Sequence, residues 1–125
     1  MPRVARDRHA AGVGRWLTEG FREQHPETAE CLRAMIASQP DEGYAECCGV
    51  IERMDQLDDL PSITAPTLVI AGAQDPATPP EHAERIVAGI PDARLEVLDP
   101  AAHLASVERA DAVNALLLDH LLEDR

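Results

Sequence analysis

In the first part of the 125-residue chain, apolar residues recur three and four positions apart, which is the spacing of amphipathic helices. Pro26 begins one predicted helix, which Gln39-Pro40 ends, and Asp41 is predicted to cap the next. We therefore expect two helices with one apolar face each, formed by Cys31, Leu32, Met35 and Ile36 in the first and by Tyr44, Cys47, Cys48, Ile51 and Met54 in the second.

From residue 66 the pattern changes to short apolar runs. Residues 67–71 (Thr-Leu-Val-Ile-Ala), closed by Gly72, predict a buried parallel strand, and Leu95, Val97 and Leu98 predict a second strand. Between them lies a predicted helix over residues 79–89, with Thr78 as its cap and Glu81 as the capping-box partner. The order strand, helix, strand predicts a right-handed βαβ unit with parallel strands.

The remaining segments are predicted to be surface connections and one more helix. Residues 56–64 are polar enough to connect the helices to the sheet at the surface, and residues 104–109 are expected to form a short turn or helix. Asp111 is predicted to begin a last helix, whose apolar face would pack on the sheet. That face consists of Val113, Leu116, Leu117 and Leu121, while His120 and the tail Glu123-Asp124-Arg125 are expected to face solvent.

An acid and a histidine follow the two predicted strands. The carboxyl ends of neighbouring parallel strands share one edge of a sheet, where ligands and chemistry collect in open α/β sheets. The loops that carry Asp75 and His103 are therefore expected to emerge side by side. An aspartate there can orient a histidine and stabilise its protonated form, which makes two-thirds of a hydrolytic triad.

Each of these residues also has a structural interpretation. Asp75 precedes a proline and could be a turn residue, and His103 could be a loop histidine with a backbone partner. Asp99 is a rival acid, but its place between a strand and Pro100 suits a turn better. His82 lies in the first turns of a helix and is expected to be exposed. Glu108 and Asp111 are interpreted as helix-terminus acids.

Three segments carry a resemblance to a known family. Residues 66–75 (Pro-Thr-Leu-Val-Ile-Ala-Gly-Ala-Gln-Asp), 78–83 (Thr-Pro-Pro-Glu-His-Ala) and 101–104 (Ala-Ala-His-Leu) resemble the C-terminal half of an α/β-hydrolase. More narrowly, they are similar to the 3-oxoadipate enol-lactonase family, which opens an enol-lactone to 3-oxoadipate in the β-ketoadipate pathway. Arg15-Trp16-Leu17-Thr18, His25-Pro26 and residues 43–48 resemble the helical cap of that family.

The resemblance implies an α/β fold that consists of a helical cap, residues 1–56, and the C-terminal part of a hydrolase core, residues 57–125. It implies Asp75 and His103 as catalytic residues, with no metal and no organic cofactor. The partner would be a small lactone or ester, selected by the cap. Trp16 is either a packing residue of the cap, which we favour, or part of the acyl pocket.

The sequence departs from the family at the nucleophile. The family's serine lies in a Gly-x-Ser-x-Gly elbow, whereas Ser38, Ser62 and Ser106 have no such flanking glycines. We therefore expect the C-terminal portion of a serine hydrolase that is inactive alone. The alternative is a non-catalytic module that dimerises or binds a partner, because the open edge of a two-stranded sheet recruits other strands.

Composition limits the partners and the cellular location that we expect for this chain. A net charge of −12 argues against nucleic acid as a partner, because phosphates would be repelled. No apolar run approaches the ~20 residues of a membrane span, and the start of the chain has no signal-peptide core, so we expect a cytoplasmic protein. The three cysteines show no metal-binding spacing and are expected to be small core residues in a reducing compartment.

Overall fold

The computed structural model of the protein describes residues 12–122. Residues 1–11 of the predicted helical cap and the predicted solvent-facing tail 123–125 lie outside the described residues. The first part of the described chain is helical and contains α1 (residues 12–16), α2 (Glu19–Gln24), α3 (Pro26–Ala37), α4 (Asp41–Arg53) and a 3₁₀ helix (Leu57–Ser62).

The second part contains the strands. Its elements are β1 (Thr67–Gly72), α5 (Pro80–Gly89), β2 (Ala93–Leu98), a short helix α6 (Ala105–Glu108) and α7 (Ala110–Leu122). The two strands are parallel neighbours, with Thr67 opposite Ala93 and Gly72 opposite Leu98. The predicted parallel βαβ unit is therefore confirmed.

One hydrophobic cluster joins α1, α3 and the segment after β2. Val13, Leu17 and Ala29 are buried at its centre, and Leu17 is only 1% exposed. Around them pack the partly buried side chains of Trp16, Phe21, Leu32, Ile36, Leu104 and Val107. Trp16 thus packs against this cluster, and the cluster ties residues near the start of the chain to the loop that carries His103.

Helix α4 differs from the prediction made for it. It contains no buried residue, and the predicted face is exposed at Ile51 and Met54. All three cysteines are exposed as well, so their assignment to a core is wrong. The physical reason is that the described elements leave this face uncovered at Ile51 (66% exposed) and Met54 (58% exposed). Helix α4 begins at Asp41 itself with Pro40 at the N-cap position, one residue from the predicted cap.

Helix α7 packs on the sheet only in part. Val113 is buried, but Leu117 and Leu121 are largely exposed, so the apolar face is not covered along its whole length. His120 is half-buried, and its Nδ1 atom is buried with no hydrogen-bond partner within the described residues. The prediction that His120 faces solvent is therefore wrong.

No helix within residues 12–122 has both the length and the apolar character that crossing a bilayer requires.

Candidate active site

The loop after β1 lies against the loop after β2. The backbone N–H of Ala73 donates to the carbonyl of Leu98 at 2.9 Å, and that of Gln74 donates to the carbonyl of Ala101 at 2.8 Å. At Gly72 the two backbones approach so closely that an added Cβ would collide with the carbonyl oxygens of Ala101 and Ala102. Residue 72 must therefore be a glycine, because a side chain does not fit there. The close approach of the two backbones holds the two loops side by side.

The loop that carries His103 is anchored on both sides of the histidine. The backbone N–H of Leu104 donates to the carbonyl of Trp16 at 2.8 Å, and that of Ala102 donates to the carboxylate of Glu108. Earlier in the loop, Arg109 donates to the carbonyl of Asp99 at 2.9 Å. The position of His103 is thus determined by backbone contacts to α1 and α6 as well as by its strand.

The structure brings Asp75 and His103 into direct contact. Oδ2 of Asp75 lies 2.8 Å from Nδ1 of His103, and we call these two residues the Asp75–His103 pair. The Asp75 side chain is only 6% exposed, whereas that of His103 is 36% exposed. The predicted juxtaposition is confirmed, with a buried acid behind a histidine that is open to solvent.

Hydrogen-bond donors surround both carboxylate oxygens of Asp75. Oδ1 accepts from the backbone N–H groups of Ala77 (2.8 Å) and Thr78 (3.1 Å), and Oδ2 accepts from the Thr78 hydroxyl (2.7 Å) in addition to facing His103. Burial alone would raise the pKa of Asp75, but the hydrogen bonds from His103, Thr78 and Ala77 outweigh burial and lower that pKa below the ordinary aspartate value. Asp75 is therefore held as a carboxylate.

Thr78 is a site residue that the sequence reasoning assigned to a different task. Helix α5 begins at Pro80 with Pro79 as its N-cap and has no side-chain cap, so the predicted capping box of Thr78 and Glu81 is wrong. The hydroxyl of Thr78 bonds Asp75 instead and lies 3.3 Å from Nδ1 of His103. The sequence signal for this contact is a threonine three residues after an aspartate. Aspartate and threonine side chains at this spacing form hydrogen bonds within the same turn.

The rival residues do not join the pair. Oδ1 of Asp99 accepts a hydrogen bond from the side chain of Gln74 at 3.3 Å, and His82 is exposed on α5. The hydroxyls of Ser38 and Ser62 donate to backbone carbonyls of their own helices at 2.7 Å. Among the described residues, no serine is hydrogen-bonded to His103.

Trp16 lines a small cavity beside the helices. The cavity has a volume of about 40 Å³ and is also bordered by Gly12, Arg15, Ile36, Gln39, Asp41 and Tyr44. Trp16 reaches the loop that carries His103 through its backbone carbonyl. A contribution of its indole ring to a substrate pocket stays a prediction.

Chemically, the Asp75–His103 pair can accept and release a proton. A carboxylate at Nδ1 fixes the imidazole tautomer, so that Nε2 is the atom available to act as a base. Within residues 12–122, His, Cys, Asp and Glu side chains form no group of three or more that could hold a metal ion.

Comparisons with known proteins identify the fold family of the chain. Residues 7–110 match the family model of the alpha/beta hydrolase fold. The chain is 42% identical over 100 residues to 3-oxoadipate enol-lactonase 2 of Acinetobacter baylyi, an alignment that covers 80% of this chain and 37% of that protein.

Solved structures give the same result. The chain superimposes on an enol-lactonase from Burkholderia xenovorans LB400 with a TM-score of 0.92 and 32% identity, covering 97% of this chain and 46% of the other. It also matches a thermophilic esterase from Thermogutta terrifontis with a TM-score of 0.82 and 32% identity, covering 95% and 47%. The chain thus spans less than half the length of these relatives, and it belongs to the α/β-hydrolase fold family.

Proposed function

We propose that this chain is the C-terminal portion of a serine hydrolase that opens an enol-lactone to 3-oxoadipate, with Asp75 as the triad acid and His103 as the base. The observation that carries this proposal is the 2.8 Å contact between a buried carboxylate and a solvent-open imidazole. The nucleophilic serine would come from polypeptide outside these 125 residues, either upstream in the same protein or in another chain.

In the proposed reaction, Nε2 of His103 takes the proton of the serine hydroxyl while the serine oxygen bonds to the lactone carbonyl carbon. Collapse of the tetrahedral intermediate breaks the ring C–O bond, and His103 returns the proton to the leaving enol oxygen. His103 then takes a proton from water, whose oxygen bonds to the acyl carbon, and it gives that proton to the serine oxygen as the acyl-serine C–O bond breaks and the carboxylic acid product leaves. Asp75 stays ionised throughout and stabilises the protonated imidazole.

The choice of a lactone as substrate is supported by the relatives. The Acinetobacter baylyi and Burkholderia xenovorans proteins are named as enol-lactonases, and the Thermogutta terrifontis protein is an esterase. Lactones and esters share the same acyl-transfer chemistry, so all three proteins support the class of bond, two support an enol-lactone, and among these three the Acinetobacter baylyi protein supports 3-oxoadipate as the product. We propose that helices α1 to α4 cover the site and that Trp16 borders the acyl pocket.

The test is a fusion of the N-terminal part of the Acinetobacter baylyi lactonase to this chain. We expect the fusion to hydrolyse the enol-lactone, and we expect His103→Ala to reduce kcat by about a thousandfold or more. The matched control is His82→Ala, which removes an exposed histidine from α5 and should leave kcat unchanged. Equal activity of the fusion with and without His103 would contradict the proposal.

The chain alone gives a second test. Because none of its serines contacts His103 among the described residues, we expect no reaction with a fluorophosphonate probe that labels activated serines. Stoichiometric labelling of Ser38, Ser62 or Ser106 would show a nucleophile within the chain and would contradict the assignment of the serine to another segment.

A second candidate function is association without catalysis. It is favoured by the exposed apolar side chains of α7, which include Leu118, Leu121 and Leu122, and by the two-stranded sheet. Light scattering over a range of protein concentrations should then show that the chain associates, and Leu118→Ser should weaken that association. A monomer at all concentrations, together with an active fusion, would favour the enzyme.

A further inference from the structure

Glu108 connects two segments that are far apart in the sequence. Its Oε1 atom accepts hydrogen bonds from both the backbone N–H and the hydroxyl of Thr18, each at 2.7 Å. Its Oε2 atom accepts from the backbone N–H of Ala102. One half-buried carboxylate therefore joins the start of α2 to the residue directly before His103.

We infer that Glu108 is a positioning residue that holds the backbone of His103 where its ring meets Asp75. This inference takes its functional meaning from the proposed role of His103 as the base. It assigns Glu108 a task beyond that of a helix-terminus acid, the role expected from its place in the sequence.

The hydrogen bond of Ala102 supports the inference because Ala102 directly precedes His103 in the chain. Ala102 is buried, and its N–H would otherwise have to be desolvated without a partner. On the other side of His103, the N–H of Leu104 bonds to the carbonyl of Trp16 at 2.8 Å. Both amides that flank His103 are thus tied to residues 16–18, directly at Trp16 and through Glu108 at Thr18.

The chemistry of the side chain explains why a carboxylate is needed. Both carboxylate oxygens accept hydrogen bonds, whereas a glutamine has one accepting oxygen and one donating nitrogen. In Glu108→Gln, the amide nitrogen would have to face either the N–H of Ala102 or the two donors of Thr18. Either orientation places donors against each other, so a variant of nearly the same size breaks one end of the connection.

Thr18 is the other end of this connection and offers an independent variant. Its hydroxyl donates to Glu108 and also accepts from the N–H of Phe21 at 3.3 Å, which caps α2. Thr18→Val removes the hydroxyl at almost constant volume and leaves the Ala102 contact chemically intact. Thr18→Ser keeps the hydroxyl and serves as the rescue variant.

The experiment measures the pKa of Asp75 in the 125-residue chain by the ¹³C resonance of its carboxylate. Because His103 helps to lower that pKa, a displaced histidine should raise it. We expect Glu108→Gln to raise the pKa of Asp75, seen as a roughly threefold increase in the proton-binding constant of its carboxylate. Thr18→Val should cause a smaller rise, and Thr18→Ser none.

The control is Glu84→Gln, the same chemical change at an exposed position of α5, which should leave the titration of Asp75 unchanged. A native titration in a folded Glu108→Gln chain would overturn the inference, even if the melting temperature fell. If Glu108→Gln does not fold, Thr18→Val decides, and a native titration there would overturn the inference. The readout needs no hydrolysis, so an inactive fusion would count against the proposed function and leave this result unaffected.

Discussion

The site-bearing loops and helix α4 are two regions of the same chain with opposite surroundings. In the loops after β1 and β2, backbone amides and a buried carboxylate are paired across the sheet edge, and Gly72 admits close backbone contact. In α4, the sequence forms a regular helix but none of its residues is buried, and Ile51 is 66% exposed.

This difference shows which part of the fold is complete within the described residues. The acid and the base are positioned by contacts that the chain itself supplies. The apolar face of α4 is amphipathic in sequence but leaves Ile51 and Met54 exposed in the described part, so its helix rests on local propensity more than on burial. Substitutions should therefore have large effects in the loops and small effects in α4.

The largest contrast is expected between two glycines. Gly72→Ala forces a Cβ into the carbonyl oxygens of Ala101 and Ala102, and we expect a loss of about 3 kcal/mol in the free energy of unfolding. Gly43→Ala lies in α4, where an added Cβ meets nothing within 4 Å, and should stabilise by up to ~1 kcal/mol through helix propensity. Urea denaturation measures both, and equal effects would contradict the comparison.

A smaller effect is expected at Thr78. Thr78→Val removes the hydroxyl that donates to Asp75 and should cost about 1 kcal/mol of folding free energy. It should also raise the pKa of Asp75, because the carboxylate loses a donor that stabilises its charged form. Thr78→Ser keeps the donor and should titrate as the native chain does. NMR titration measures the pKa of Asp75, and urea denaturation measures the free energy of unfolding.

Acid should weaken the site-bearing region in particular. The pKa of Asp75 is lower in the folded chain, so its contribution to stability is fully present above the unfolded aspartate value of about 3.9 and is lost as the pH falls through the folded pKa. We expect Asp75→Asn to reduce the dependence of stability on pH in that window. An unchanged pH profile in this variant would show that Asp75 is not stabilised as a carboxylate.

The smallest effect is expected on the exposed face of α4. Ile51→Ala should change the free energy of unfolding by less than about 0.5 kcal/mol, because its side chain already faces water. The matched variant is Ile90→Ala, at a position that is 6% exposed, where we expect a loss of about 2 kcal/mol or more. A large loss of stability in Ile51→Ala would reveal a partner that covers α4. If that loss depended on protein concentration, the partner would be a second copy of the chain.

Local reasoning predicted much of the site and less of its surroundings. The order of β1, α5 and β2 was sufficient to place Asp75 beside His103, because parallel strands end at a common edge. The same reasoning misassigned Thr78, since a threonine before a helix caps helices more often than it supports an acid. It also gave Glu108 a local role, because nothing in the sequence relates Glu108 to Thr18, ninety positions away.

By itself, then, the sequence determined the amphipathic helices, the parallel strands and the pairing of Asp75 with His103, because each follows from local periodicity and chain order. Only the tertiary structure decided which apolar faces are buried, what Thr78 and Glu108 bind, and why residue 72 is a glycine. Those outcomes depend on contacts between segments distant in sequence, where a difference of one ångström or one missing neighbour changes the result.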